Sequence, residues 1–299
     1  MSDAGARTPI EERHKATEER AKETQREIDQ LQRSELSPAD RKRADEAALL
    51  DAKTTYEIIR EDGEKELERS TGALAFSGLA AGLSMGLSMV GQGMLQAHLP
   101  DAEWRPLIVR FGYSIGFLAV IAGSQQLFTE NTLTPVVPLL SKKSGVTLGQ
   151  VLRLWGVVLV ANLVGTLLFA LAAAFTPAFS PEIKTAFAAL GTEAVGRTFW
   201  SMFSRAVAAG WVIALMVWML PGARHNRLWV IVIMSYVIGV AGMSHIIAGS
   251  SEVLYVALTG AVPWSAYFVD FLIPTLLGNV IGGVTLVAAL NHGQVTSGE

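Results

Sequence analysis

Beyond residue 70 the chain alternates long uncharged stretches with short charged ones. Uncharged runs cover 70–100, 111–129, 154–181, 206–223, 228–251 and 271–298. Each is near or beyond the ~20 residues that carry a helix across a ~30 Å hydrocarbon layer. Two shorter uncharged pieces, 131–141 and 253–269, follow the second and fifth runs, each after a single glutamate. The pattern predicts six spans, with the second and fifth interrupted. The scheme of continuous, broken and continuous helix occurs twice, and three spans per half give the halves opposite topology. The expected fold class is an all-α membrane protein with six transmembrane helices, arranged as two inverted three-helix repeats with broken helices 2 and 5.

The first 70 residues follow a different pattern. Residues 1–50 are rich in Glu, Lys, Arg, Gln and Ala with few large apolar positions, which predicts a charged arm on the cytoplasmic side, helical or disordered. Over 52–70, Tyr56, Ile58 and Ile59 cluster on one side, as in an amphipathic helix lying along a membrane surface. The pore-forming body is expected over 71–293 and a short cytoplasmic tail over 294–299.

Composition sharpens this division. The chain is 51% apolar and only 17% charged, against roughly 25% charged in ordinary soluble domains. Residues 1–70 hold 14 Lys/Arg and 19 Asp/Glu, which leaves 10 and 8 for the rest. A formal net charge of −3 argues against a nucleic-acid partner. Without cysteine there is no disulfide, thiolate nucleophile or Cys-ligated metal, and neither metal nor cofactor is expected. No basic segment followed by a short apolar core suggests a cleavable leader. Lys142, Lys143, Arg224, Arg227, Arg60, Lys65 and Arg69 all fall in alternate loops, which places those loops and both termini in the cytoplasm.

The chemistry concentrates at the two breaks. One reads Gln125 to Thr132 and the other Ser244 to Glu252. Corresponding breaks in inverted halves point to a transport site at the midplane. Glu130 and Glu252 allow three readings: caps for the second half-helices, pathway groups that carry protons or set selectivity, or side chains exposed at the lipid interface. His245, inside a span, reads as a pathway group in preference to a satisfied core histidine. Asn162 and Asn279 occupy similar places in the halves and can donate to freed backbone carbonyls; Asn279 reads equally as interhelical glue or pathway lining. Gly78, Gly82 and Gly86 give the first span a smooth packing face. Ser250 and Ser251 lie near His245, but no GxSxG elbow or HExxH motif accompanies them, so no enzyme is expected.

The motif Leu127-Phe128-Thr129-x-Asn131-Thr132 resembles the span-2 loop of the formate/nitrite transporter family. The resemblance extends to Asn162-Leu163-Val164-Gly165, to His245, and to Leu272-Ile273-Pro274-x-x-x-Gly278-Asn279-x-Ile281-Gly282-Gly283. It covers residues 53 to about 292, and its nearest likeness is the YfdC-type inner-membrane branch. The resemblance implies an aquaporin-like fold, a homopentamer in the lipid bilayer of the inner membrane, and passage of a small-molecule substrate such as formate or nitrite. It also implies Thr129 and His245 at the centre, with hydrophobic constrictions near Phe117 and Ile238.

This chain departs from the family pattern in several places. Ile246-Ile247-Ala248-Gly249 stands where Ser-x-Ala-Asn usually follows the histidine, Ala209-Gly210 replaces Cys-Asn, and Ala194 replaces a lysine. Glu130 and Glu252 replace small or neutral residues. Two alternatives therefore stand beside an anion pore: the same pore passing a neutral or protonated solute, or a membrane scaffold or stress protein acting through residues 1–50.

Overall fold

The computed structural model describes residues 37, 50–224 and 226–297. The arm expected over 1–50 lies outside the described residues except at Ser37 and Leu50. From Leu50 onward the chain forms one compact unit, and every regular element among the described residues is helical.

Helix α1, Ala52–Glu68, starts at Asp51, whose carboxylate accepts from Thr54 N–H at 2.7 Å. Its stripe of Tyr56, Ile59, Gly63 and Leu67 is buried, at the i, i+3/i+4 spacing of a single face. That face is covered by protein and not by a membrane surface. Tyr56 Oη meets Ser141 Oγ at 2.7 Å and His292 Nδ1 at 2.6 Å, and a side chain at Gly63 would collide with the Thr134 carbonyl.

Six crossings follow. Helix α2 is Thr71–His98, α3 is Arg105–Ala122, and α4, Val136–Lys142, resumes the second crossing after its break. Helix α5 is Gly145–Phe175, and α6, Pro181–Ala194, is a connecting helix that the charge pattern did not reveal. Helix α7 is Phe199–Met219. The fifth crossing comprises α8, Arg227–Val240, and α9, Ile246–Leu258, and α10 is Ala266–Thr296. Five of these helices are long and apolar enough to cross a membrane alone. Helix α10 runs to Thr296 and so takes in the first half of the expected tail; it carries π turns at Ala266–Leu272 and Val284–Ala289. Pro274 follows the first of these turns and cannot donate a backbone bond there.

The internal repeat is visible in atomic detail. Helix α3 ends with Ser124 in the left-handed region (φ 51°), and α8 ends with Gly242 likewise (φ 59°). Just beyond, Gln125 N–H closes on Val120 O and Met243 N–H on Ile238 O, both at 3.0 Å, as a helix-terminating Schellman turn requires. Helix pairing repeats too: Gly82 and Gly165 let α2 press on α5, and Gly210 and Gly282 let α7 press on α10. At all four glycines a Cβ would strike the backbone of the facing helix, so each marks an obligatory close approach.

The two breaks are placed differently from expectation. In the fifth crossing the irregular segment ends at His245 and helix resumes at Ile246, because the His245 side chain caps it. Glu252 therefore sits inside α9 and is not a cap. Glu130 lies in a short 3-10 turn, Glu130–Thr132, that precedes α4. Superposing the repeat by its Schellman turns matches Ser124 with Gly242 and Leu127 with His245, so the two glutamates are not equivalent positions.

Candidate transport site

Unwound backbone deep in an apolar protein needs substitute partners for its polar groups, and one asparagine per half supplies them. Asn162 on α5 accepts from Phe128 N–H at 2.9 Å and donates to the carbonyls of Gln126 at 2.9 Å and Gly78 at 2.7 Å. Asn279 on α10 accepts from Ile246 N–H at 2.9 Å and donates to Ser244 O at 2.9 Å and Ala206 O at 2.8 Å. Both are fully buried. Asn279 is thus a clamp on the break, with every polar atom of its amide engaged by backbone.

The clamps present Thr129 and His245 to each other from opposite halves, Oγ1 to Nε2 at 2.7 Å. His245 Nδ1 accepts from Ala248 N–H at 3.1 Å as the N-cap of α9. A ring nitrogen that accepts from backbone N–H carries no proton, so the neutral imidazole is protonated at Nε2 and donates to Thr129. The Thr129 hydroxyl proton is then left without an acceptor among the described residues. Phe117 lies edge-on to the imidazole, with ring centroids 5.0 Å apart. Phe117 and Ile238 are both fully buried in the cluster that holds the site.

One cavity reaches the first break and another reaches His245. The first, about 590 Å³, lies against α1 and contains Glu66, Glu130, Asn131, Arg224 and Arg227. The second, about 50 Å³, reaches His245 and contains Arg110, Glu193, Arg197 and Glu252. Neither cavity is lined by Phe117 or Ile238. In the first, Glu66 accepts from Gln126 Nε2 at 2.7 Å and Gln126 Oε1 accepts from Asn131 Nδ2 at 3.0 Å, tying α1 to the break. Asn131 also accepts from Trp155 through its backbone carbonyl at 2.8 Å. Glu130 Oε1 is buried there with no hydrogen-bond partner.

In the second cavity Glu252 Oε1 accepts from Gln92 Nε2 at 2.9 Å, and Arg110 donates to Gln92 Oε1 at 2.7 Å and to Glu193 Oε1 at 2.6 Å. Arg205 and Arg197 donate to the Gly242 carbonyl at 2.9 and 3.3 Å, completing the end of α8. Arg205 thus serves backbone and not an acidic partner.

The structure brings Thr129, His245 and Phe117 together, bonds Asn279 to the backbone on either side of His245, and separates Glu130 from Glu252 into different cavities. Gln92, Arg110, Glu193 and Glu66 escaped the sequence reading. A carboxamide within the small-residue run of α2 and an arginine at the edge of an uncharged run were the signals that pointed to Gln92 and Arg110. Ser250 Oγ donates to Ile246 O at 2.6 Å, and His245 is engaged by Thr129 and Ala248, so no serine–histidine pair forms among the described residues.

Comparison with known proteins agrees with this architecture. Inner membrane protein YfdC of Escherichia coli (strain K12) is 42% identical over 244 residues, spanning 82% of this chain and 79% of that protein. A pentameric formate channel with formate bound superposes with a TM-score of 0.60 at 23% identity, covering 77% of this chain and 96% of that one. An FNT family ion channel superposes with a TM-score of 0.66 at 19% identity, covering 79% and 96%. The family model described as formate/nitrite transporter matches residues 53–293, and the chain belongs to that family of membrane transporters.

Proposed function

We propose that this protein is a pore for small monovalent anions of weak acids, of the formate or nitrite type, with Thr129 and His245 as its central polar contact. The observation that carries the reading is the unassigned hydroxyl proton of Thr129. Thr129 is fully buried, its neighbours Leu127 and Glu130 line the first cavity and its partner His245 lines the second, a place where a hydrogen-bond donor would meet an anion stripped of water. Phe117 and Ile238, buried beside the pair, serve as the apolar constrictions that exclude bulk water and ions. Asn131 and Asn279 shape the pathway by fixing its backbone.

The protein works as a homopentamer in the inner membrane, one pore per protomer, with α1 and both termini on the cytoplasmic side. Support comes from the pentameric formate channel and the YfdC relative, and from the basic residues Lys142, Arg224 and Arg227 on the side that α1 occupies. The exposed apolar side chains of Phe76, Leu152, Val160 and Trp200 suit lipid or subunit contact. Formate flux into proteoliposomes tests the function: wild-type protein should carry formate and His245→Ala should not. Equal flux in both would remove His245 from the pathway.

A carboxyl in each cavity favours a refinement of this reading, in which the anion crosses as its protonated acid.

A further inference from the structure

We propose that Glu252 is the proton-exchange group of the second cavity, handing a proton to a weak-acid anion that enters beside His245 and, in the reverse direction, taking one from an acid that leaves there. This rests on the reading of the protein as a weak-acid pore and adds a residue and a step to it.

Three observations point to Glu252. It lines the 50 Å³ cavity that also reaches His245, a space large enough for a small cluster of waters. Only one of its carboxyl oxygens is engaged: Gln92 Nε2 donates to Oε1 at 2.9 Å, and no described residue bonds Oε2. Glu252 keeps 7% of its surface, and its Oε2 is not among the fully enclosed unpartnered atoms, so the free oxygen is the one that meets the cavity.

Third, the engaged oxygen is fixed in its role. Arg110 donates to Gln92 Oε1 at 2.7 Å, and a guanidinium can only donate, so the Gln92 amide must turn its NH2 toward Glu252. Gln92 is completely buried and has no room to flip. Oε1 is therefore always an acceptor, and any proton on Glu252 resides on Oε2, facing the cavity. A carboxyl placed only to hold helices together would be served by bonds to both oxygens; this one is presented with one face open.

The charged and titratable groups that share its cavity come from α3, α6, the loop after α6 and the break, whereas α2, α5 and α10 contribute none to that lining. Helix α3 contributes Arg110 and Tyr113, α6 Glu193, the following loop Arg197, and the break His245. Arg110 lies between Glu252 and Glu193 and is bonded to Glu193 at 2.6 Å, so the carboxyl does not stand alone against an arriving anion. In the step itself, the O–H bond of Glu252 breaks and an O–H bond forms on the anion, giving a neutral acid and a Glu252 carboxylate. The neutral acid passes the apolar constriction and releases its proton to the solution beyond, and a proton from the solution on the Glu252 side, relayed by cavity water, restores Glu252. Passage in the opposite direction reverses the order. Charge balances throughout, and the net movement is one anion with one proton.

The test measures formate uptake and internal pH together in proteoliposomes, across external pH, for wild type, Glu252→Gln and Glu252→Asp. Glutamine keeps the size and the acceptor for Gln92 but cannot exchange a proton. The expected result is that wild-type uptake rises toward acid pH with proton uptake matching formate. Glu252→Gln should lose about a hundredfold or more in flux together with that rise, as for a missing proton-transfer group. Glu252→Asp should restore proton-coupled uptake with a displaced pH profile.

A Glu252→Gln protein with wild-type flux and pH profile would overturn the proposal and leave the pore reading intact. Equal losses in both variants with an unchanged profile shape would also overturn it, since that is the mark of a packing role. Wild-type protein that carries no formate would overturn the pore reading and the proposal with it. Should Glu252→Gln not assemble, the Glu252→Asp profile alone decides: displaced supports, undisplaced overturns.

Discussion

Asn162 and Asn279 make the same three hydrogen bonds in opposite halves of the chain, each joining a break residue's carbonyl, the N–H two residues later and a carbonyl of a continuous helix. The pair holds two stretches of non-helical backbone at the depth where water is absent. Replacing Asn279 by Ala would orphan Ile246 N–H and Ser244 O together, while Ala206 O keeps its intrahelical partner. At ~1–3 kcal/mol for each unsatisfied buried group, the loss should reach several kcal/mol. Thermal unfolding in detergent should show a large drop in midpoint, with a matching drop for Asn162→Ala. An unchanged midpoint in either variant would refute the clamp.

The left-handed residues at the breaks should respond oppositely to substitution. Ser124 adopts φ 51° without being glycine, at a cost of ~1–2 kcal/mol for an L-residue. Ser124→Gly should therefore leave stability unchanged or raise it slightly, part of the gain being offset by glycine's greater unfolded freedom. Gly242→Ala should destabilise by about 1–2 kcal/mol, and its methyl would also press on Arg205 Nη1, 2.9 Å away. Denaturation curves of the two variants check the sign.

Much of this fold was legible because its signals are dense. Twenty-residue uncharged runs cannot be mistaken for soluble helices, and the short uncharged pieces that follow two of them singled out the broken crossings. What stayed hidden depended on single local contacts. His245 ends the fifth-crossing break because its Nδ1 caps α9, a geometric fact with no counterpart in residue spacing, so Glu252 seemed to lie in the break when it lies within helix. Helix α6 escaped because its fourteen residues are amphipathic and carry charges that look like a loop. The Glu252–Gln92–Arg110–Glu193 chain joins positions far apart in sequence, and neither period nor composition encodes such a meeting. The repeat, by contrast, was readable as a scheme, and only its register needed coordinates.

The Thr129 hydroxyl should matter more than its bulk. Thr129→Ser keeps the acceptor for His245 Nε2 and the free proton, and should retain most formate flux. Thr129→Val removes both, leaving a buried ring nitrogen unpaired at a cost of ~1–3 kcal/mol, and should lower flux about tenfold or more. Comparing initial uptake rates of the two variants at equal protein density is sufficient. Similar rates would show that the hydroxyl makes no contact with the solute.

Acid should loosen α1 from the body of the protein. Glu64 on α1 receives Lys142 Nζ at 3.0 Å and Arg60 Nη1 at 2.8 Å, and the hydrogen bond from Lys142, above all, holds its carboxyl below the usual carboxylate range. A carboxyl whose value is depressed in the folded state contributes stability above its unfolded value near 4.5, and that contribution disappears as pH falls through the depressed value. Docking of α1 to α4 should therefore be constant near neutrality and weaken only below about pH 4.5. The pair is partly exposed, with 28% and 52% of the side chains accessible, so its contribution stays below ~1 kcal/mol and shrinks with salt. The apolar stripe of Tyr56, Ile59 and Leu67 will keep α1 in place through that loss. Glu64→Gln should remove the acid sensitivity and leave neutral-pH docking nearly unchanged, whereas Gly63→Ala, which forces a methyl into the Thr134 carbonyl, should undock α1 at every pH. Hydrogen exchange of the α1 amides against pH separates the two: an acid-induced rise in the Glu64→Gln protein as steep as in wild type would rule out the Lys142 contact as the sensor.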